Sequence, residues 1–253
     1  MLKHQNIRIV MACALLVTGY LGSVGSVSLL LPLAIALVWL GLTAWGAFDI
    51  RLGYFGPTYW CGNQQEVQHI ALTFDDGPTP YTPKVLALLK KHNMQATFFC
   101  IGRQLEEHPE IAVSIMENGH QIGNHSYSHS KQIGFFGLKD MLEEITHTDQ
   151  IIKEVCNTTT AIYRPPFGVT NPTITRATKQ LDKDIIGWSI RSLDTVFKEE
   201  SSILKRIFPR LKPGAIVLLH DTSESTVNLL EQLLIYMERK KLKSVTVDEL
   251  LKK

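Results

Sequence analysis

The sequence predicts an α/β protein carried behind an N-terminal helical membrane anchor, and two observations predict it. Short apolar runs alternate about seven times with segments of helical spacing between residues 69 and 250, the pattern of parallel strands joined by crossover helices. Upstream, no charged residue occurs from Ile9 to Phe48, whereas the rest of the chain has ordinary polarity.

The uncharged stretch exceeds the ~20 residues of a single span, and "GSVGS" at 22–26 interrupts it. It reads as two spans, roughly 8–24 and 28–48, within an anchor of residues 1–50. Tyr20, Trp39 and Trp45 suit the membrane interface. A cleaved signal peptide with Lys3 and Arg8 as its basic start is the alternative, and the second apolar run directly behind the first argues for retention. Lys3 and Arg8 favour a cytoplasmic N-terminus, and two spans return the remainder to the same side. A linker over 51–66 and a catalytic domain over 67–253 follow.

Within that domain the expected strands are 69–74, 95–101, 120–126, 160–166, 184–190, 214–220 and 243–247, with helices such as "TPKVLALLKKH", "LKDMLEEITHTDQIIKEV" and "VNLLEQLLIYMERKK" between them. Seven such units in ~185 residues are compact for a closed β/α barrel, and an open doubly wound sheet is the other solution. A barrel gathers its chemistry at the C-terminal ends of its strands. Asp75 and Asp76, His125 and His129, Arg164, Asp194 and His220 all lie at or just beyond the C-terminal end of an expected strand.

Composition narrows the function. The net charge is +2, and no basic stripe interleaved with aromatics marks a nucleic-acid face. The basic run "ERKKLKS" reads as a solvated helix end. Cys61, Cys100 and Cys156 are odd in number and form no CxxC, so neither a disulfide framework nor a thiolate zinc site is indicated. Cys100 in "ATFFCIG" reads as a small buried apolar residue.

Four short stretches carry the chemistry. "IALTFDDGP" ends an apolar strand in two mutually repelling carboxylates. A turn or helix cap is the bland account. A cation bound by one of the pair offsets its charge and acidifies water, and the neighbouring carboxylate is then a general base. "HSYSH" places His125 and His129 at i and i+4, on one face of a helical turn, where they can share a metal. Two histidines and a carboxylate with an open position are the donor set of catalytic zinc. "LLHD" puts His220 at a strand end as a proton donor. In "RPPFG" the prolines offer no N–H, so the Phe167 amide is the first candidate oxyanion donor, and Arg164 can hold and orient the base carboxylate.

Together "TFDDGP", "HSYSH", "RPPFG" and "LLH" resemble, in order and spacing, the polysaccharide deacetylases, also called NodB-homology proteins or family 4 carbohydrate esterases. The resemblance covers His69 to Leu250. It implies a distorted (β/α)7-type barrel that holds a divalent metal, usually zinc, on Asp76, His125 and His129. Asp75 is then the base and His220 the acid, with Asp194 raising the pKa of His220 and Arg164 orienting Asp75. Leu218 lines the acetyl pocket, and the Phe167 amide joins in stabilising the oxyanion.

The fourth family motif departs. Where relatives often show Trp-x-x-Asp-Ser-x-Asp-Trp, this chain reads "WSIRSLDT", with Arg191 in place of the first aspartate and Thr195 in place of the groove tryptophan. Arg191 can instead meet an anionic substrate, such as a phosphorylated or uronate-bearing glycan. The expected activity is removal of N-acetyl groups from aminosugars of a polysaccharide or cell-envelope glycan. Deacylation or deformylation of a lipid-linked sugar is the alternative, and a non-catalytic glycan-binding barrel is a third. The expected partners are an N-acetylated glycan or glycolipid and the membrane, with no nucleic acid and no protein partner. The family's substrates imply an extracytoplasmic domain on the cytoplasmic membrane, against the direction of the charge rule.

Overall fold

The structure, a computed structural model, describes residues 3–62, 68–197 and 199–252. The end of the expected 51–66 linker and its boundary with the domain at 67 lie outside the described residues. Two N-terminal helices, α1 (His4–Ser23) and α2 (Leu30–Phe48), pack together as a hairpin. Both are long and apolar enough to cross a membrane. Leu16, Leu30 and Leu40 stand exposed on them, a cost in water that a hydrocarbon surround removes.

The two outer ends of the hairpin meet at the same place. The His4 backbone N–H donates to the Tyr54 carbonyl at 2.8 Å. The last turn of α2 rests on the domain: Gly46 lies so close to the Tyr54 ring that a Cβ would approach it to 2.3 Å, and the Thr170 N–H donates to the Ala47 carbonyl at 2.9 Å. A bilayer crossed by both helices has Lys3 and the domain on one side.

Eight parallel strands follow among the described residues: β1 (His69–Asp75), β2 (Ala96–Cys100), β3 (Gln121–Asn124), β4 (Ile162–Tyr163), β5 (Asp184–Ile185), β6 (Ile190–Arg191), β7 (Ile216–His220) and β8 (Lys243–Ser244). Their order is β5-β4-β3-β2-β1-β7-β6, with β8 beside the start of β1. The run expected as one strand over 184–190 is split in two. Its first half pairs with β4 and its second with β7, so the two ends of the sheet are consecutive pieces of one segment. At the break, Ile186 donates to the Tyr163 carbonyl at 2.9 Å and Ser189 to the Ile216 carbonyl at 3.0 Å. Tyr59, arriving from the helical hairpin, bonds there too, its N–H donating to the Ile185 carbonyl at 2.9 Å and its carbonyl accepting from Gly187 at 2.7 Å. The sheet thus curls round on itself as a distorted (β/α) barrel rather than lying open as a doubly wound sheet.

The other described α-helices are α3 (Thr82–Lys91), α4 (Gly102–Glu107), α5 (Pro109–Glu117), α6 (Leu138–Cys156), α7 (Pro172–Gln180), α8 (Glu200–Ile207), α9 (Glu224–Arg239) and α10 (Val247–Leu251). Local chemistry starts several of them. Asn171 caps α7 by accepting from the Ile174 N–H, with Pro172 in the first turn, and Ser223 caps α9 by accepting from Thr226. Val227, Leu230, Leu234 and Met237 form the buried stripe of α9 at helical spacing. They meet the outward residues Leu72, Phe74, Phe98 and Leu219 in the main core, where Cys100 is also fully buried. The alternate, inward residues Ala71, Phe99, Ile162 and Ile216 form a second core inside the curl. The inward face ends, strand by strand, in the polar groups of the site.

Candidate active site

Asp75 closes β1, and Asp76 leaves it with φ +73°. Gly77 lies against the buried carboxylate of Asp221, where a Cβ would come within 2.4 Å of Oδ2. Only glycine lets the chain turn there. Asp76 Oδ1 then lies 3.4 Å from His125 Nε2 and 3.3 Å from His129 Nε2.

"HSYSH" is not the helical turn its spacing suggests. Ser126 and His129 have φ of +68° and +49°. Side chains take the N–H groups a helix would use: Asn124 accepts from Ser126 at 2.9 Å, and Glu144 on α6 accepts from Tyr127 at 3.0 Å and Ser128 at 2.9 Å. The loop still delivers both imidazoles to Asp76. His125 Nδ1 lies 2.7 Å from the Arg164 carbonyl. A carbonyl only accepts, so Nδ1 carries the proton and the Nε2 lone pair faces Asp76.

These three donors fit a divalent metal. At zinc–ligand distances of about 2.0–2.2 Å a tetrahedral edge is about 3.3–3.6 Å, the spacing found from Asp76 to each histidine. Asp76 Oδ1 is buried and has no hydrogen-bond partner, the state of an atom arranged for a cation. Burial opposes ionisation of Asp76, yet the facing imidazoles of His125, His129 and His220 lower its pKa to about 2. No other cluster of metal-binding side chains occurs among the described residues.

Arg164 is wholly buried. Its Nη1 donates to Asp75 Oδ1 and to Thr73 Oγ1, each at 2.7 Å. Nε and Nη2 donate to the Ile186 and Gly187 carbonyls at 3.2 and 2.9 Å, and the guanidinium lies 4.0 Å from the Phe99 ring centroid. One arginine therefore both orients Asp75 and ties down the break between β5 and β6. The other Asp75 oxygen, Oδ2, lies 3.8 Å from His125 Nε2.

His220, in register with Asp75 across β1 and β7, places Nε2 4.0 Å from Asp76 Oδ2. Its Nδ1 lies 2.8 Å from Asp194 Oδ1. Burial lowers the His220 pKa, but the hydrogen bond and charge of Asp194, aided by Asp75 and Asp76, raise it to about 9. Leu218 is buried two residues earlier on the same face. Phe167 adopts φ +61°, with its ring half-exposed and 4.7 Å from that of His129. Arg191 stands exposed at the end of β6, opposite Leu218 and 5.8 Å from the Trp188 ring centroid. The structure thus brings Asp75, Asp76, His125, His129, Arg164 and His220 to one mouth of the curl, with Asp194 behind His220 and Phe167, Leu218 and Arg191 around it. Positive φ at Asp76, Ser126, His129, Phe167 and Leu193, none of them glycine, concentrates backbone strain here.

The family model described as polysaccharide deacetylase matches residues 62–186. The crystal structure of the Bc1960 peptidoglycan N-acetylglucosamine deacetylase is 30% identical and superposes with a TM-score of 0.72, covering 77% of this chain and 92% of that one. The chain belongs to the polysaccharide deacetylase family. The peptidoglycan-N-acetylglucosamine deacetylase PgdA of Listeria monocytogenes is 33% identical over 184 residues, 72% of this chain but 39% of PgdA, so the chain spans about two fifths of that relative's length. BA3943 of Bacillus anthracis, described as a family 4 pseudoenzyme, is 26% identical with a TM-score of 0.70, covering 76% of this chain and 67% of that one. The polysaccharide deacetylase fold therefore hosts active and inactive members, and the side chains at the mouth must carry the functional argument.

Several residues of this site escaped sequence reasoning. Thr73 accepts from Arg164 and donates to the Val217 carbonyl at 2.7 Å, but in an apolar strand it reads as a β-branched filler. Glu144 clamps the histidine loop from a helix 15 residues on, a distance no local motif spans. Asp221 is fully buried, accepts from Thr82 Oγ1 and has its pKa raised to about 7 by burial. Its adjacency to His220 in "LLHD" was the available signal.

Proposed function

We propose that this chain is a membrane-anchored, metal-dependent hydrolase that removes N-acyl groups from aminosugars of a cell-envelope glycan. One observation carries the reading: a three-donor metal cradle lies between a carboxylate oriented by a buried arginine and a histidine paired with a buried aspartate. The names of the relatives support N-acetylated peptidoglycan as the glycan. All the groups that a non-catalytic barrel would lack are present.

Asp76, His125 and His129 would hold the cation. When bound, it supplies Lewis acidity, polarising the amide carbonyl and lowering the pKa of water. Asp75 keeps Oδ1 bonded to Arg164 and turns Oδ2 toward the cradle, placed to take the proton of the attacking water. The Phe167 amide serves the developing oxyanion, and Leu218 receives the acyl methyl group. His220, with Nδ1 engaged by Asp194, delivers its Nε2 proton to the departing amine nitrogen.

The docking of α2 on the domain favours a second substrate, a lipid-linked aminosugar, because the mouth lies close to the end of the anchor. The test is acetate or formate release by the full chain in detergent micelles. Chitooligosaccharide, peptidoglycan fragments and a lipid-linked aminosugar are compared with zinc and after chelation. Zinc-dependent release from any of them supports the hydrolase and ranks the substrates. No release from folded, zinc-loaded protein with all three overturns it.

A further inference from the structure

Beside the mouth, where α2 meets β6, lies a polar cavity that the hydrolytic chemistry leaves unused. It measures about 310 Å3, and Arg51, Arg191, Arg206 and Arg210 line it with Asp49 and the Trp188 ring. Asp49 is already engaged by Arg51 through two hydrogen bonds of 2.8 and 2.7 Å. Among the described residues, no carboxylate lies within ion-pair distance of Arg191, Arg206 or Arg210. Arg206 Nε donates to the Arg191 carbonyl at 2.8 Å, which fixes one guanidinium in place and ties α8 to β6.

Four guanidiniums against one carboxylate, beside low-dielectric aromatic walls, make a focused positive field. Three of them arrive from separate places: the end of β6, α8 and the turn after it. Convergence from three directions suits the oxygens of a tetrahedral phosphate better than the two of a planar carboxylate, and guanidinium forks are matched to phosphate.

The neighbours of the cavity say where such a phosphate comes from. Trp45 and Arg51 also line an adjoining, mainly apolar cavity of about 840 Å3, together with Ile7, Leu42 and Tyr54 at the foot of the hairpin. On the other side, Arg191 stands in register with Leu218, two residues before His220. An apolar cavity, a cationic one and the hydrolytic mouth therefore follow one another along the domain's membrane-proximal rim. We propose that the arginine cavity binds the phosphate of a lipid-phosphate-linked N-acylaminosugar, with its hydrocarbon beside the hairpin and its acylamino group at the mouth. The inference rests on the deacylase reading and names a substrate class for it.

The test uses the full chain, zinc-loaded, in neutral detergent micelles, and has two readouts. Tryptophan emission, sensitive here because Trp45 and Trp188 line the cavity, follows titration with decyl phosphate, inorganic phosphate, decyl glucuronide and phosphatidylglycerol. Acid release is measured from N-acetylglucosamine 1-(decyl phosphate) and from neutral decyl N-acetylglucosaminide. The expected result is a saturable response to decyl phosphate, weakened at least about tenfold in Arg210→Glu and in Arg206→Ala. The ratio of kcat/KM for the phosphate-linked over the neutral substrate falls by a similar factor in both variants. Arg210 is exposed, so its variant reads the charge without disturbing a core.

A missing response, or one that both variants retain, overturns the site. Equal binding of decyl glucuronide overturns the phosphate assignment. Inorganic phosphate binding as tightly as decyl phosphate overturns the lipid source, and an equal response to phosphatidylglycerol reduces the cavity to general headgroup attraction. Decyl phosphate binding without acid release from either sugar overturns the hydrolase reading and the substrate assignment together, and leaves an anion site.

Discussion

Asp194 holds His220 at two points: Oδ2 accepts the His220 backbone N–H at 2.8 Å, and Oδ1 lies 2.8 Å from Nδ1. Ser192 Oγ donates to the same carboxylate at 2.7 Å, which helps to hold its orientation. Burial works against the charged imidazole, and Asp194 is the main group that offsets it, bringing the pKa to about 9. In the proposed mechanism the protonated form is the acid, so activity is expected to fall as pH rises through the His220 pKa. In Asp194→Asn the alkaline limb of kcat/KM moves down by at least about one pH unit relative to wild type, compared at the same metal loading. An unmoved limb would remove His220 as the acid. The same raised pKa stabilises the fold fully below pH 6.5, and that contribution fades as pH rises through about 9.

The two adjacent aspartates separate by role. Asp75→Asn lowers kcat by at least about a thousandfold while zinc remains bound, because the donor cradle does not include it. His125→Ala loses activity and weakens zinc binding at least about a hundredfold. Metal content of the purified variants, measured by mass spectrometry beside their rates, checks both halves.

Arg164 has no carbon substitute. Arg164→Met leaves Asp75 and the Ile186 and Gly187 carbonyls without their donors, which costs about 3–5 kcal/mol in chemical denaturation of the chelated protein. Arg164→Lys keeps the charge but reaches fewer of those acceptors, so it recovers part of the stability and little of the activity.

The hairpin makes a topological prediction. Because the His4 N–H meets the Tyr54 carbonyl, reporters fused at the N-terminus and after Phe48 give the same side of the membrane. Opposite sides would mean that one of the two helices does not span. Which side they share decides between the charge rule, which favours the cytoplasm, and the location of the family's glycans.

The sequence announced the strand-end groups because they sit beside rigid punctuation: Gly-Pro after Asp76, two prolines after Arg164, an apolar run before His220. Main-chain geometry was harder to read. "HSYSH" has helical spacing but folds as a loop, because Asn124 and Glu144 take the N–H groups that a helix would use. The split of 184–190 was invisible because its cause is non-local: one side pairs with β4, the other with β7, and Tyr59 fills the break. The arginine cavity was half legible. Arg191 stood out where the family motif has an acid, but Arg206 and Arg210 join it only through the packing of α8.

Tyr59 gives the seam between β5 and β6 a mechanical meaning. The chain coming from the helical hairpin is hydrogen-bonded at Tyr59 to residues 185 and 187, and Arg164 fastens the adjoining carbonyls to the Asp75 carboxylate. A continuous run of hydrogen bonds thus links the hairpin side of the chain to the carboxylate proposed as the base. A domain released by cutting after residue 59 loses that rung and slackens first at its seam, with the three metal donors still in place. Such a fragment would bind zinc like the whole protein and turn over more slowly: the leash is part of the machine.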